Sequence, residues 1–503
     1  MPALLEIDGH HLTLEDTERV ARGEVTEVRL AASAKGALHS ARRLVEDRIA
    51  QGVPVYGVTS GFGRLADMVI PPEQRIALQR NVIISHASGA GSPIDRPATR
   101  ALMLLRANTL AHGHSGCSPR TVELLLECLN AGIHPVVPEF GSVGASGDLV
   151  PLAHVALALI GEGQVEYGGR IVAAADALKA ARLTPLEVRE KDGLSLINGT
   201  QFCTALGVLA LRDAERALEA LEVAGALSLE GLRGSPEPFD DDIQAVRPHQ
   251  GQAVSAARLR ALLEGSEIRE SHRRDDPRLQ DAYSLRCMPQ VHGAARDALT
   301  YVRHVLEIEV NSATDNPLVF PESGLIKSGG NFHAQIVAQV LDLLAIAVTD
   351  LAAISERRTE ALLNPDRSGL PAFLAARPGV ESGLMMLQVT VADLLTEMRM
   401  LASPASTHSV PTGGGREDHV SMGPAAARKA RRAVHCLAQV VAVELLCAAE
   451  AIEHLRPLTT SPALERVHAA IRQIAAKLTG DRALSADLRH IGELVQRGVF
   501  RAP

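Results

Sequence analysis

Five long stretches of the sequence place apolar residues at helical spacing and contain few glycines or prolines. Several exceed the roughly 10–14 residues of an average helix. They are apolar on more than one face, so neighbouring helices or other subunits must bury them. This pattern predicts an all-α fold built on a bundle of long helices. The stretches are 202–232, 290–310, 332–363, 383–402 and 425–455.

The first 200 residues have a different sequence pattern, which predicts shorter elements and more turns. Leucine-rich text predicts a helix over 101–111, and Pro119 opens a second helix that covers 121–130. Residues 165–173 read as a hairpin on a Gly-Gly turn, followed by a helix to about Ala181. We therefore predict a smaller mixed N-terminal region, 1–200, followed by the helical bundle and a C-terminal helical region, 201–503.

Composition and charge exclude several classes of protein. Of the 503 residues, 46% are hydrophobic and 22% charged, which is typical of a globular chain rather than a disordered or collagen-like one. The 51 basic and 59 acidic residues give a net charge of −8, and the basic residues are spread through helical text. That distribution argues against a nucleic-acid surface and favours a small molecule or a protein as partner.

The sequence also predicts a cytoplasmic, soluble protein. Its six cysteines are scattered singly, which is typical of reduced thiols. The first 11 residues carry acidic groups where a signal peptide needs basic ones. The longest apolar segments, 340–353 and 437–449, contain Asp342, Asp350 and Glu444 and fall short of the ~20 residues that a membrane span needs.

Glycine-rich loops between the helices are candidate ligand sites, because backbone can approach a ligand closely there. Three familiar motifs are rejected. Loop 141–148 lacks the Lys-Ser/Thr pair of a phosphate-binding loop, and Asp148 stands where a nucleophile elbow needs its closing glycine. His112, His114 and Cys117 have no second pair of ligands nearby, so no metal site is expected. The loops are 57–63, 141–148, 328–331 and 413–416.

The tripeptide Ala145-Ser146-Gly147 offers another chemistry, because it can cyclise on itself when held in a tight bend. The amide nitrogen of Gly147 attacks the carbonyl carbon of Ala145. Loss of water from that adduct, and of the Ser146 hydroxyl as a second water, gives a methylidene-imidazolone (MIO) ring. Such a ring is an exposed electrophilic alkene, and a helix beginning near Leu149 would place partial positive charge beside it.

The text around this tripeptide resembles the signature of the MIO-dependent aromatic amino acid ammonia-lyase and aminomutase family, and further blocks of that family follow in order. The resemblance spans nearly the whole chain. It implies an α-helical fold of the fumarase/aspartase type, a homotetramer with active sites shared between subunits, and no external cofactor. The blocks are YGVTSGFG at 56–63, GSVGASGDLVPLAH at 141–154, LINGTQ at 196–201, QDAYSLRCMPQ at 280–290, DNP at 315–317, SGGNF at 328–332 and EDHVSM at 417–422.

The same resemblance assigns the reacting groups. Elimination of ammonia requires removal of a weakly acidic β-proton and departure of a poor leaving group, so the enzyme needs a strong base and an electrophile. The ring formed from Ala145, Ser146 and Gly147 would be the electrophile. Tyr56 matches the family's catalytic tyrosine and is the expected base, and Tyr283 would lie beside the amine.

Four further residues are expected to bind the common part of the substrate. Arg286 would clamp the carboxylate, because a guanidinium offers a planar two-donor fork. Asn198 and Gln280 would hold the amino and carboxylate ends by hydrogen bonds, and Phe332 would pack against the ring.

Selectivity for the substrate side chain is expected from His86 and Glu417. The pair Ser85-His86 resembles the histidine-specific members of the family, which implies that L-histidine is converted to urocanate and ammonia. A neutral imidazole presents one N–H donor and one acceptor nitrogen, so a histidine and a carboxylate can match both. Polar groups left unpaired would reject a phenyl ring.

Three segments depart from the histidine-specific pattern on the approach to Glu417. They are Gly415-Arg416, the tetrapeptide at 396–399, and His408. They leave open a histidine 2,3-aminomutase, which re-adds ammonia at the β-carbon, or a lyase for another aromatic amino acid. A fumarase-type lyase without MIO lacks support, because its serine-containing signature loop is not found. A non-catalytic helical scaffold is disfavoured by the joint presence of Tyr56, the Ala-Ser-Gly tripeptide, Asn198 and Arg286.

Overall fold

The computed structural model describes residues 4–274, 276 and 278–501. The chain divides into two compact units, each assembled from separate segments. The first unit contains 1–209, 303–341 and 404–428, and the second contains 210–302, 342–403 and 429–503. The predicted boundary near residue 200 refers to continuous regions and stays a prediction.

Helices dominate the described part of the chain, and the five long stretches that the sequence predicts are long helices in the structure. The all-α prediction is confirmed. In chain order the helices are α1 (Leu14–Ala21), α2 (Ala32–Ala50), α3 (Arg75–His86), α4 (Arg96–Ala111), α5 (Pro119–Asn130), α6 (Leu149–Leu159), α7 (Ala174–Ala180), α8 (Asp192–Ile197), α9 (Gln201–Gly231), α10 (Asp241–Ala245), α11 (Gln250–Leu263), α12 (Glu267–Ser271), α13 (Tyr283–Arg286), α14 (Met288–Glu309), α15 (Gln335–Leu363), α16 (Pro365–Ser368), α17 (Met385–Leu401), α18 (Gly423–Glu453), α19 (Pro462–Ile474) and α20 (Ser485–Gln496).

The first unit also contains short strands. Strands β1 and β2 pair in parallel, and β3 pairs with β5. Strands β4, β6 and β7 form a three-stranded sheet, and β8 pairs with β9. The predicted hairpin is confirmed as β6 and β7, whose turn glycines have the positive φ values that glycine tolerates. The strands are β1 (Leu4–Ile7), β2 (Glu27–Leu30), β3 (Ala90–Pro93), β4 (His134–Pro135), β5 (Pro138–Phe140), β6 (Gln164–Tyr167), β7 (Arg170–Ala173), β8 (Leu318–Phe320) and β9 (Leu325–Lys327).

Helix ends in the first unit follow local sequence signals. The Asp95 side chain accepts a hydrogen bond from the backbone N–H of Ala98 at 3.0 Å, which caps α4 one residue before its proline-containing first turn. Pro119 is the first residue of α5, as predicted. Almost all of α4 is buried, so it forms a central rod of this unit.

The core of the second unit contains a buried ion-pair network. Arg358 donates to both carboxylate oxygens of Glu444, and neither side chain is exposed. The hydroxyls of Ser228 and Ser355 donate to the same carboxylate. Because each carboxylate oxygen has partners, the charge of Glu444 is tolerated inside an otherwise apolar helix.

The expectation that the apolar segments are too short to span a membrane is corrected. Within the described residues, α15 and α18 are each long and apolar enough to do so by length and composition. The helices extend beyond the apolar segments, which is why the sequence estimate was too short. In α18, however, 89% of the most apolar window is buried inside the structure, and in α15 56% is buried. Core helices of a globular protein pass the same test.

Candidate active site

A cavity of about 630 Å³ lies in the first unit and brings together residues from distant parts of the sequence. Five predicted site residues line it, namely Tyr56, His86, Ser146, Asn198 and Glu417. Its apolar wall includes side chains from the loop after Tyr56 and from the ends of α6 and α8. These wall residues are Phe62, Leu65, Met68, Ile70, Leu149, Leu194 and Ile197.

Tyr56 lies at the start of a tight glycine-rich loop. Its hydroxyl oxygen accepts a hydrogen bond from the backbone N–H of Gly63 at 3.0 Å. The Phe62 ring packs edge-on against the tyrosine ring, with 6.3 Å between the ring centroids. A side chain at Gly57 would collide with Phe62 and Leu194, and Gly57 has a φ of +64°. The loop therefore holds the phenol by its oxygen and by its ring.

The buried side chain of Gln79 connects this loop to the rest of the site. Its Nε2 donates to the carbonyl oxygen of Gly57 at 2.8 Å, and its Oε1 accepts from the backbone N–H of Leu194 at 3.1 Å. Gln79 lies on α3, the helix that ends at His86. One side chain thus ties together the elements that carry Tyr56, His86 and Asn198. Gln79 was not predicted, because its only signal in the sequence is a polar residue on an apolar helix face.

The Ala145-Ser146-Gly147 loop is strongly bent. Ser146 adopts a left-handed φ of +52°, which is uncommon outside glycine, and Gly147 has a φ of +79°. A side chain at Gly147 would lie 2.3 Å from the carbonyl oxygen of Gly199, so only glycine fits there. A side chain at Gly144 would lie 2.1 Å from the Ser421 hydroxyl oxygen. The chain therefore turns sharply at this tripeptide, and neither Gly144 nor Gly147 can be replaced without a clash.

Asp148 anchors the far end of this loop. It is fully buried, and its carboxylate accepts hydrogen bonds from the backbone N–H and the thiol of Cys203, both at 2.9 Å. Burial raises the pKa of Asp148 to about 6, while the hydrogen bonds from Cys203 oppose that rise. The contact fixes the first residues of α6 against the first turn of α9.

Asn198 is positioned to reach both the loop and the cavity. Its Nδ2 donates to the carbonyl oxygen of Ser146 at 3.0 Å. Its Oδ1 is buried and has no hydrogen-bond partner among the described residues. A buried acceptor of this kind needs a donor, and an amine in the cavity would supply one.

The carboxylate of Glu417 is held at both oxygens. Oε1 accepts from the Ser146 hydroxyl at 2.9 Å, and Oε2 accepts from the Thr412 hydroxyl at 2.9 Å. Glu417 is half-buried, and Gly413 packs against its carboxylate. The backbone N–H of Thr412 also donates to the carbonyl oxygen of Glu417 at 2.8 Å, which closes the loop between them.

His86 lies at the end of α3, and its Nδ1 is 3.1 Å from the hydroxyl oxygen of Ser85. Burial lowers the pKa of His86 below its ordinary value, against a hydrogen bond to the backbone of Val82 and the charge of Glu417. The neutral imidazole is therefore favoured, and it can offer one donor or one acceptor to a ligand.

The atypical Arg416 does not extend its charge to the cavity wall. Its guanidinium is 2.9 Å from the Asp67 carboxylate, in the loop that follows Tyr56. The two side chains are 49% and 81% exposed, so the ion pair contributes little to stability.

Four other predicted residues are not among the described residues that line the cavity. Gln280, Tyr283 and Arg286 belong to the second unit, and the Arg286 guanidinium stacks 4.4 Å above the Tyr283 ring. Tyr283 is 70% exposed, Gln280 is exposed, and Arg286 Nε is buried without a partner among the described residues. Phe332 is half-buried and is not among the described residues that line the cavity.

The cavity also contains a residue that the sequence analysis did not single out. Asn316 lines the wall, and its Oδ1 accepts from the backbone N–H of Gly329 at 2.8 Å. Asp315, just before it, forms a buried ion pair with Lys191 at 2.7 Å. The signal was present, because Asn316 is the central residue of the 315–317 block.

The sequence predicts that His112, His114 and Cys117 do not form a metal site. Among residues 4–274, 276 and 278–501, no group of three or more His, Cys, Asp or Glu side chains is arranged to hold a metal ion. The His112 ring packs between those of His10 and His114, and burial lowers its pKa to about 4.

Comparison with known proteins identifies the family. The family model for aromatic amino acid lyases matches residues 12–473. The chain is 50% identical to the histidine ammonia-lyase of Anaeromyxobacter sp. strain K, over 98% of this chain and 99% of the relative. It is 49% identical to that of Koribacter versatilis strain Ellin345, over 99% of each chain.

Solved structures agree in fold. The crystal structure of histidine ammonia-lyase from Trypanosoma cruzi superposes with a TM-score of 0.92 at 39% identity, covering 99% of this chain and 94% of that one. Tyrosine aminomutase from Streptomyces globisporus gives a TM-score of 0.94 at 40% identity, covering 99% and 98%. On this sequence match over nearly its whole length, the chain belongs to the aromatic amino acid lyase family.

Proposed function

We propose that the protein is a carbon–nitrogen lyase that converts L-histidine to urocanate and ammonia. The observation that carries the proposal is the cavity lined by Tyr56, Ser146 and Asn198 together with the imidazole-matching pair His86 and Glu417. Relatives about 50% identical over nearly the whole chain are histidine ammonia-lyases, which supports the same substrate.

The proposal includes an MIO ring formed from Ala145, Ser146 and Gly147, and the loop fits that group. Its φ values, the absence of room for a side chain at Gly147 and the hydrogen bond from Asn198 to Ser146 all favour ring closure. When formed, the ring supplies an electrophilic alkene that makes the substrate amine a better leaving group.

Tyr56 is the proposed acceptor of the β-proton. The backbone N–H of Gly63 donates to its oxygen, and Gln79 fixes the carbonyl of Gly57 beside it, so the phenol oxygen has a defined position. A positioned base in a cavity with apolar walls contributes roughly 10²–10⁴-fold to a proton transfer. Asn198 would accept a hydrogen bond from the substrate amine through its unpaired Oδ1.

His86 and Glu417 are the proposed partners of the imidazole. The Glu417 carboxylate would accept a hydrogen bond from the N–H of the substrate imidazole. Neutral His86 would donate its own ring N–H to the other nitrogen of the substrate imidazole. A phenyl ring would leave both groups unpaired in a partly buried site, which disfavours phenylalanine and tyrosine.

Gln280, Tyr283 and Arg286 are proposed to act in the cavity of a neighbouring copy, within a homotetramer. This accounts for a stacked Tyr283-Arg286 pair in which the tyrosine is largely open to solvent in one chain. Arg286 would bind the substrate carboxylate, Gln280 would add a hydrogen bond and Tyr283 would lie beside the amine. Phe332 is proposed to pack against the ring.

The proposed location is the cytoplasm. Its support is the set of free cysteines, of which Cys117, Cys128, Cys203, Cys436 and Cys447 are buried.

The decisive test is the product formed from L-histidine. We expect purified protein to release urocanate and ammonium in equal amounts. Chromatography of a reaction run to completion would measure both products. The structural similarity to tyrosine aminomutase favours one alternative, a histidine 2,3-aminomutase. Accumulation of β-histidine with little urocanate would establish that alternative and overturn the lyase assignment.

A further inference from the structure

Each oxygen of the Glu417 carboxylate accepts a hydrogen bond from a different side-chain hydroxyl. Oε1 accepts from Ser146, and Oε2 accepts from Thr412, each at 2.9 Å. Thr412 is also tied to Glu417 through the backbone, because its N–H donates to the carbonyl oxygen of Glu417 at 2.8 Å. Thr412 therefore holds both the main chain and the side chain of this residue.

Gly413 completes the support from the other side. A Cβ at this position would lie 2.6 Å from Oε2 and 2.8 Å from Cδ of Glu417. Its φ of +57° also disfavours any side chain. The Glu417 carboxylate thus packs against the Gly413 backbone, and any side chain at position 413 would displace the carboxylate.

The two hydrogen bonds do not have the same fate. Ring formation, as proposed above, removes the Ser146 hydroxyl as water, so Oε1 loses its donor. The Thr412 hydroxyl is untouched by that chemistry, so Oε2 keeps its donor.

We propose that Thr412 and Gly413 are positioning residues that fix Glu417 in the mature enzyme, with Oε2 anchored and Oε1 free to accept the N–H of an imidazole substrate. The inference rests on the proposed function. It makes loss of the Ser146 hydroxyl serve two ends, because the same event creates the electrophile and opens the acceptor that selects the substrate. It also assigns a role to Gly413, the first glycine of the 413–416 loop.

The first test replaces the anchor without changing its shape. We expect Thr412→Val to raise KM for L-histidine roughly tenfold or more, because a hydrogen bond to a charged group is lost. The ratio of kcat/KM for L-histidine over L-phenylalanine should fall, and Thr412→Ser should restore both values. Thr407→Val is the matched control, since the exposed Thr407 hydroxyl contacts only the nearby Pro404 carbonyl oxygen in the described structure.

The second test separates the contact from backbone strain. Gly413→Ala and Gly415→Ala both introduce a side chain at positive φ, but nothing lies within 4 Å of a Cβ at Gly415. We expect Gly413→Ala to raise KM for L-histidine several-fold more than Gly415→Ala does. Equal effects of the two variants would mean that strain alone acts, and would overturn the role of Gly413.

A binding measurement without turnover provides the readout that activity cannot. Ser146→Ala lacks both the hydroxyl and the ring, so calorimetry can give the dissociation constant of L-histidine directly. Adding Thr412→Val should raise that constant roughly tenfold. Mass spectrometry of Thr412→Val alone should still show the loss of two water molecules from the peptide with Ala145–Gly147.

Three results would overturn the proposal. They are an unchanged KM in Thr412→Val, an unchanged dissociation constant in the double variant, and a Thr412→Val peptide that retains both water molecules. The last would mean that Thr412 serves ring formation rather than recognition. Failure of the proposed function is a separate result, because wild-type protein would then release neither urocanate nor ammonium from L-histidine.

Discussion

Two groups of predicted site residues behave differently in the structure. Tyr56, His86, Ser146, Asn198 and Glu417 converge on one cavity of the first unit, although they are spread over 362 positions of sequence. Tyr283 and Arg286, on the short helix α13 of the second unit, are stacked on each other with Tyr283 mostly exposed. The first group has hydrogen-bond partners such as Gly63 and Thr412, whereas in the second group the buried Arg286 Nε has no hydrogen-bond partner among the described residues. This contrast fits the proposal that one chain supplies the reacting half of the site, with Tyr56 and Ser146, and that another copy supplies the carboxylate-binding half, with Arg286.

The largest effect is expected at the reacting half. Ser146→Ala removes the hydroxyl that ring formation eliminates, and it leaves a small side chain in the same bend. We expect folding and assembly to be preserved and turnover to be lost essentially completely. Circular dichroism, size-exclusion chromatography and a urocanate assay would check this, and substantial urocanate formation by the variant would remove the ring from the mechanism.

Tyr56→Phe is expected to have the next largest effect. It keeps the ring packing against Phe62 but removes the phenol oxygen that Gly63 holds. We expect kcat to fall by roughly 10²–10⁴-fold, with KM little changed and the two-water mass loss intact. A fall of less than about tenfold in kcat would show that another group takes the proton.

Mixed assemblies sharpen the comparison directly. Ser146→Ala and Arg286→Ala subunits should each be nearly inactive alone, but co-expressed subunits should regain a fraction of wild-type activity. Sites that combine an intact Ser146 from one copy with an intact Arg286 from another would account for the recovery. Activity that never exceeds the sum of the two single variants would mean that both residues must belong to the same copy.

The smallest expected effect concerns the pH dependence of stability. The pKa of Asp148 is raised by burial from 3.8 to about 6 in the folded chain. The folded state therefore binds this proton more tightly than the unfolded state, and the free energy of unfolding falls as pH rises from about 4 through about 6. The contribution is about 3 kcal/mol at most, at ~1.36 kcal/mol per pKa unit.

Asp148→Asn removes that titration and should flatten this part of the pH profile. Melting temperatures at pH 5 and pH 7.5 would measure it, with the exposed Asp176→Asn as control. A parallel pH dependence in wild type and Asp148→Asn would contradict the assignment.

Helices and their ends were predictable from the sequence because the signals are local. Apolar spacing identified the long helices, and Pro119 and the Gly168-Gly169 turn marked ends of elements. The apolar runs underestimated the lengths of α15 and α18, because both helices continue past those runs.

Much of the cavity was also predictable, because several of the residues that line it belong to the sequence blocks that resemble the family. The connecting residues were not. Gln79 acts through hydrogen bonds to the backbone of Gly57 and Leu194, and Thr412 acts on a carboxylate five residues away. Neither has a pattern that sequence spacing can express, because Gln79 joins segments distant in sequence and Thr412 depends on the conformation of an irregular loop.

The mass of the peptide that contains Ala145, Ser146 and Gly147 tests the central claim most directly. Active protein, digested and measured by mass spectrometry, should yield that peptide lighter than its sequence by two water molecules. A peptide of full sequence mass, recovered from protein that converts L-histidine to urocanate, would contradict it.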